Sequence, residues 1–569
     1  MNSLLLVILC FIAYIIAYNT YGRFLAKKIF NLDKNRSTPA HTLRDNQDYV
    51  PAHKIVLFGH HFTSIAGLGP IVGPAIGVIW GWVPAVLWVV FGSILMGAFH
   101  DFGSLVLSIR SKGCSIGDIA GDLINPRVRS LFMGIIFLAL WIIIAIFALI
   151  IALLFDMYPE TVLSIWCQVP IAIWLGWMIY RKGYKPAGPA IAAIFLLYAT
   201  IVIGSYNPIK MPAIGALTPV MVWMIFLFIV NSFISSVLPV HVLLQPRDFI
   251  NALQLFIALI LIVFGVIVGH PRIIAPAVVL HPVGAPPIWP FLFVIIACGA
   301  ISGFHSIVSS GTSSKQLNSE TDAQIVGYGS MLMESALAIL VIIAVTAGIG
   351  MKYVSTEGTI LTGYSAYAEH YSSWSAAAGL SSKINAFIVG AANLFDTYGI
   401  PHKIGLTIIG VFIVAFAATT LDTATRLQRY IISEFARVHN ITFLRNRYTA
   451  TSLAVLSAAA LAFYDGTGKG ALKIWPLFGT VNQLLAAMAL LVLTIYFIRN
   501  KKPVAIALLP FIFMIIMTGW AMVVNIRDYF GQGNWLLFVI GLIVFVLEIW
   551  MIIESVIVLV KPVRTIEVK

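Results

Sequence analysis

Charge is what this sequence has least of. Of its 569 residues only 10% are Asp, Glu, Lys or Arg, where an ordinary soluble domain carries roughly 25%. With 60% of the chain hydrophobic, a soluble globular protein and a disordered scaffold are both excluded. Cysteine is scarce too: Cys10, Cys114, Cys167 and Cys298 lie far apart, with no CxxC pair and no Cys/His cluster of zinc-finger spacing. That excludes a disulfide framework, and the four read as packing residues. Also missing are a P-loop, a nucleophile elbow and an HExxH helix. Their absence argues against ATP-driven transport and intramembrane hydrolysis, so no enzyme, cofactor or metal is expected.

What is present is a succession of apolar runs. A bilayer-crossing helix takes about 20 such residues. Runs bounded by charges or by Gly and Pro fall at 3–25, 55–79, 83–108, 129–154, 160–180, 187–204, 217–242, 249–269, 289–313, 325–349, 404–430, 449–464, 471–498, 503–525 and 534–560. The expectation is an all-α polytopic protein of about 15 spans, with 384–395 able to dip into the membrane without crossing it. The first run is too long for a signal-peptide core and is followed by Lys27 and Lys28, so it reads as a retained span.

The 35 basic residues outnumber the 22 acidic ones, for a net charge of +13. Sorting them by loop removes any need for a nucleic-acid partner. With the N-terminus outside, one set of alternating loops holds 27 of the 35 and the other holds eight. By the positive-inside rule the richer set, with the C-terminal tail, is cytoplasmic. Only 350–403, on the outer side, is long enough for a small subdomain.

Three spans are interrupted in ways a lipid-facing helix does not tolerate. Residues 55–82 contain six glycines with Pro70 and Pro74, and His60, His61, Thr63 and Ser64 between. Each proline removes a donor, and Gly67 to Pro70 predicts unwound backbone, which at membrane depth must line a cavity or be buried in protein. In 217–246, Asn231, Ser232, Ser235 and Ser236 precede Pro239, which predicts a half-helix end near Asn231. In 299–314, Ser302, Ser306, Ser309 and Ser313 recur at helical spacing as one hydroxyl stripe. Such a stripe ligates a small cation or packs helix on helix.

The first two interrupted spans are five apart and antiparallel by the charge topology, the pattern of an inverted-repeat secondary transporter. The reading is a LeuT-type 5+5 core over 55–435, with repeats at about 55–210 and 215–435. An accessory span and basic loop would occupy 1–54, and four accessory spans 436–569.

Ionisable groups within spans are costly unless paired or wetted. The candidates are Asp101 beside His100, Glu334, Asp422 and Arg426. Asp422 and Arg426 lie four apart on one helical face and can pair locally, as a structural ion pair. A carboxylate cluster could also be a proton relay or an inner gate. His60 and His61 are about 100° apart on a helix, so they read as polar groups of a cavity or as hydrogen-bonded core histidines, not as a shared metal site.

Several segments carry a family resemblance: YVPAHK at 49–54, FGHHFTSIAGLGPIVGP at 58–74, HDF at 100–102, AISGFHSIVSSGTSSK at 300–315, TTLDTATR at 419–426 and WPLFGTVNQ at 475–483. Together they closely resemble the carbon starvation A family of bacterial inner-membrane proteins, departing from its Thr-Pro at Ser313-Ser314. The resemblance implies a transporter of peptides, in some members of pyruvate, induced when carbon is scarce. Its core would be related to the amino acid–polyamine–organocation transporters. It also implies that 59–69 contacts substrate and that 306–312 borders a cation-like site.

The combined expectation is a secondary active importer of small peptides or pyruvate in the bacterial inner membrane. Substrate would meet Gly59, His60, His61, Thr63, Ser64, Gly67, Gly69, Asn231, Ser235, Ser302 and His305. Coupling to H+ would use Asp101, Glu334, Asp422 and Arg426; the alternative, Na+, would use Ser64, Ser306, Ser309 and Ser310. A transporter-like nutrient sensor is a second alternative, against which stands the lack of room for a cytoplasmic output domain.

Overall fold

The computed structural model describes residues 2–355 and 357–560; the basic C-terminal tail of the charge argument lies outside them. The chain is helical apart from one small hairpin, Tyr353–Val354 with Ile360–Leu361. The helices of the first half are α1 (Ser3–Ile29), α2 (Lys54–Ile65), α3 (Gly69–Gly77), α4 (Trp82–Arg110), α5 (Pro126–Met157), α6 (Pro159–Arg181), α7 (Ala187–Tyr206), α8 (Pro219–Val237) and α9 (Leu244–Gly269). Those of the second are α10 (Ile288–Ile295), α11 (Gly303–Gly311), α12 (Glu320–Met351), α13 (Leu380–Asp396), α14 (His402–Val438), α15 (Arg447–Phe463), α16 (Trp475–Arg499), α17 (Ala505–Gly531) and α18 (Trp535–Val560). Helix starts follow local chemistry. Asn125 and Thr218 accept from the Val128 and Met221 amides, with Pro126 and Pro219 at first-turn positions whose missing N–H costs nothing.

Among the described residues twelve helices are long and apolar enough to cross a membrane, thirteen if α2 and α3 form one bent span. The chain is a multi-pass membrane protein. Two other expected spans take shorter forms: 289–313 divides into α10 and α11, and 449–464 is the 17-residue α15. Lipid-facing positions are apolar, as Ile191 and Phe195 on α7 and Ile543 on α18 show. In contrast α5, α12, α14 and α16 are buried along most of their length. The placement of α16 differs from the expected accessory role, since it packs on α11, α5 and α4 at the centre of the bundle. Helix α13, within the segment expected outside, is packed among α3, α9 and α14, its Phe387 and Phe395 fully buried.

Two of the three expected interruptions are breaks. Between α2 and α3 the chain bends by 47°, with residues 66–68 outside either helix. Between α10 and α11, residues 296–302 are unwound, and Gly299 has φ +88°, which a side-chain-bearing residue rarely adopts. The third is a correction. No half-helix ends near Asn231; the helix passes through it as a π-turn over Phe228–Ile234 and continues to Val237, the chain breaking only at 238–243. The wider turn holds the Asn/Ser cluster without stopping the helix.

Candidate functional site

The unwound backbone at α10/α11 is satisfied by side chains from three other helices, as buried peptide groups require. Gln483 Nε2 donates to the Phe293 carbonyl at 2.8 Å, and Trp88 Nε1 to that of Ile296 at 2.9 Å. The Gly299 amide donates to Glu334 Oε1 at 3.0 Å and the Phe304 amide to Asn482 Oδ1 at 2.9 Å. At the facing break, Gly67 and Gly69 leave no room for a side chain: a Cβ on the first would strike Thr420, on the second Cys298. The two breaks therefore meet. Beside them opens a cavity of about 730 Å³ lined by Gly67, Leu68, Gly69, Cys298, Phe304, Thr420 and Asn482, continuing past Lys383 to Trp374 and Asp528. Burial lowers the Lys383 ammonium to about 8. Of the expected substrate contacts only Gly67 and Gly69 line this cavity.

Behind the cavity lie two buried ionisable networks. In the first, Asp101 of α4 is held by histidines on both oxygens, His100 Nδ1 at 2.8 Å and His305 Nδ1 at 2.9 Å. The other ring nitrogen of His305 lies 3.2 Å from Glu334 Oε2. In the second, His60 Nδ1 donates to Asp248 Oδ2 at 2.6 Å, and Thr419 Oγ1 donates to Oδ1 at 3.2 Å. Arg247 pairs with Asp422 and stands 3.6 Å from Asp248.

The expected Asp422–Arg426 pair is therefore corrected. Helical spacing puts both on one face, but the first turn of α9 brings Arg247 to Asp422. Arg426 turns instead to Asp48 at 2.7 Å and to the Ser235 carbonyl at 2.8 Å, an acceptor left over at the end of α8. Asp48 also receives both oxygens' worth of hydrogen bonds from Arg429, at 2.9 and 3.0 Å. Burial alone would raise the Asp48 carboxyl; Arg429, Arg426 and Lys315 outweigh it and hold it at about 2. Lys315 Nζ sits 3.7 Å from the Tyr430 ring centroid. Residues around Asp48 are stitched down by backbone as well: the Val240 amide donates to the Gln47 carbonyl and the Ala52 amide to that of Gln316, each at 3.0 Å. These contacts form a latch that ties the loop before α2 to the end of α8 and to α14.

The remaining sequence candidates are distributed among these features. His61 Nδ1 meets Ser313 Oγ at 2.8 Å. Thr63 and Ser64 donate to the Gly59 and His60 carbonyls at 2.9 and 2.7 Å, and Gly59 lets α2 approach Phe249 and Ala252 of α9. The hydroxyl stripe does not act as a unit. Ser302 bonds Asn482 at 3.0 Å, while Ser306 and Ser310 donate to the Gly303 and Ser306 carbonyls at 2.7 and 2.6 Å. Ser309 Oγ alone is buried without a partner. Asn231 is buried away from the cavity, and Ser235 contributes its carbonyl to Arg426. Sequence reasoning missed Asp48, Arg247, Asp248, Cys298, Lys383 and Asn482; only the Arg247-Asp248 pair at the head of an apolar run offered a signal.

Known proteins share this chain's sequence over most of its length. The family model described as carbon starvation protein CstA matches residues 2–521. The peptide transporter CstA of Campylobacter jejuni is 34% identical, the match covering 94% of this chain and 81% of the relative. The pyruvate/proton symporter BtsT of Escherichia coli is 31% identical, covering 92% and 81%. A solved manganese transporter from Eremococcus coleocola overlays with a TM-score of 0.46 at 13% identity, over 91% of this chain and 99% of that one. The chain belongs to the carbon starvation protein CstA family, a family of membrane transporters rather than of enzymes.

Proposed function

We propose that the protein imports small peptides across the bacterial inner membrane by alternating access, driven by protons, with a role when carbon is scarce. The observation that carries this reading is the cavity where two discontinuous helices meet inside the bundle, with a charged latch tying the loop before α2 to α8 and α14. Discontinuous helices of this kind are where transporters hold a substrate's charged ends, between helix termini and unwound backbone. A volume of about 730 Å³ exceeds what a three-carbon acid needs, which favours peptides. Pyruvate is the second reading, favoured by the name of the Escherichia coli relative.

The inverted repeat is best drawn from the observed breaks. One half would comprise α2/α3, α4, α5, α8 and α9, the other α10/α11, α12, α14, α15 and α16, with α6 and α7 an inserted hairpin. Equivalent pairs then meet in equivalent ways. Helix α2 packs on α9 as α10 does on α16, α4 on α11 as α12 on α3, and the two long helices α5 and α14 lie on each other. Counting α10/α11 and α15 as spans restores about 15 crossings and makes the halves antiparallel. The latch then lies on the cytoplasmic side with the C-terminus, and the N-terminus lies outside.

The transported proton is assigned to the second network, where Asp422 and the His60–Asp248 pair lie between cavity and latch. Uptake of labelled di- and tripeptides and of pyruvate into proteoliposomes tests the whole reading. With an acid-outside gradient and Na+ replaced by choline, peptide accumulates above equilibrium, and Asp422→Asn abolishes accumulation while permitting exchange. Accumulation that requires Na+, or that occurs with pyruvate alone, overturns the corresponding part.

A further inference from the structure

We propose that Cys298, His305 and Glu334 form a binding site for one thiophilic divalent transition-metal ion, of the Zn2+ class, reached from the cavity. One donor atom from each residue, a sulfur, an imidazole nitrogen and a carboxylate oxygen, lies within 4.8 Å of the others. Those are the ligand types zinc takes, at bond lengths of about 2.0–2.3 Å that set tetrahedral ligands about 3.3–3.8 Å apart. The 3.2 Å between His305 Nε2 and Glu334 Oε2 is close to that separation.

The remaining bonds of these groups leave the right atoms free. His305 spends Nδ1 on Asp101 Oδ2 at 2.9 Å, the carboxylate–histidine arrangement that fixes the tautomer and aims the other nitrogen's lone pair at a metal. Glu334 spends Oε1 on the Gly299 amide. His305 Nε2 and Glu334 Oε2, 3.2 Å apart, are then buried and without a hydrogen bond. With the ring proton on Nδ1, facing Asp101, Nε2 and Oε2 face each other as two acceptors, an arrangement that a cation between them relieves, whether a proton or a metal ion. Among the described residues no Lys or Arg forms an ion pair with Asp101 or Glu334, so the two carboxylates give the site its sign. Cys298 is half-buried and lines the cavity, which provides entry and a fourth position for water.

An ion held there would tie the break before α11 to α12 and arrest any transport cycle that moves the two apart. The experiment uses the full chain in detergent with Co2+ as the probe. One equivalent produces thiolate-to-cobalt charge-transfer absorption in the near ultraviolet and is displaced by Zn2+. Cys298→Ser loses that band, and His305→Gln weakens binding by at least about 10-fold. A wild-type protein without the band, or a Cys298→Ser variant that keeps it, overturns the proposal. A second measurement needs no variant at the buried residues. With Cys10, Cys114 and Cys167 replaced by Ser, alkylation of Cys298 by a small maleimide is slowed by Zn2+ and restored by EDTA; a rate indifferent to Zn2+ counts against the site.

Discussion

At the scale of single residues, Asp48 is a carboxylate set among cations. It is 16% exposed, answers the guanidinium groups of Arg426 and Arg429 and lies near Lys315. A carboxyl held at about 2 instead of 3.8 is linked to about 2 kcal/mol of stability. The sign follows from the direction. A carboxyl whose folded value is depressed contributes stability that is complete above its unfolded value and is lost as the pH falls toward the folded one. Asp48→Asn is therefore expected to lower the thermal midpoint at neutral pH by a few degrees. The gap between variant and wild type should narrow between pH 4 and pH 2. Thermal unfolding in detergent across that range checks it, and a gap independent of pH would mean that the carboxylate charge is not what holds the loop. None of this was visible beforehand, because Asp48 and Arg426 are 378 positions apart and helical spacing offered Arg426 a nearer partner. His60 and Asp248, 188 apart, escaped for the same reason.

At the scale of elements, glycine and proline made two of the three breaks legible, since proline lacks the N–H that would close a helical turn and glycine lowers the cost of leaving the helical conformation. The break assigned to Asn231 failed because Asn and Ser are only weak helix breakers, and a π-turn absorbed them. Which broken helices pair was equally out of reach from sequence. In the proposed repeat it depends on α6 and α7, whose composition does not mark them as an insertion. The pairing makes the contact between Gly69 and Cys298 central, because it is where the facing breaks touch. Gly69→Ala would push a methyl group into the Cys298 side chain, wedging the helices apart at the floor of the cavity. Peptide uptake is expected to fall at least about 10-fold, equivalent to about 1.4 kcal/mol in the cycle. Adding Cys298→Gly removes the side-chain atoms in the way and should recover most of the activity. Initial uptake rates normalised to reconstituted protein decide it; a double variant as slow as the single one would assign the loss to backbone stiffness instead.

At the scale of the whole molecule, scarce charge is gathered into a few buried networks inside an apolar bundle. The apolar content builds a lipid-facing shell around α5, α12, α14 and α16. Among the described residues the buried ion pairs include the two networks, the latch around Asp48 and Glu320 with Arg110 and Arg36, while the cavity leads past Lys383 toward Trp374 and Asp528. At the Asp48 end, Arg426 and Arg429 tie the loop before α2 to α8 and α14. If alternating access is the working cycle, the latch biases an equilibrium, and removing it shifts populations by its differential free energy. About 2 kcal/mol corresponds to about 30-fold. Cys298 lines the cavity and can report the shift. In right-side-out vesicles containing the chain with its other three cysteines replaced by Ser, a membrane-impermeant maleimide is expected to label Cys298 when added outside. Asp48→Asn should slow that labelling, by up to about 30-fold, and speed it in inside-out vesicles. Equal labelling of both proteins from both sides would show that the latch holds the loop without governing which face of the transporter is open.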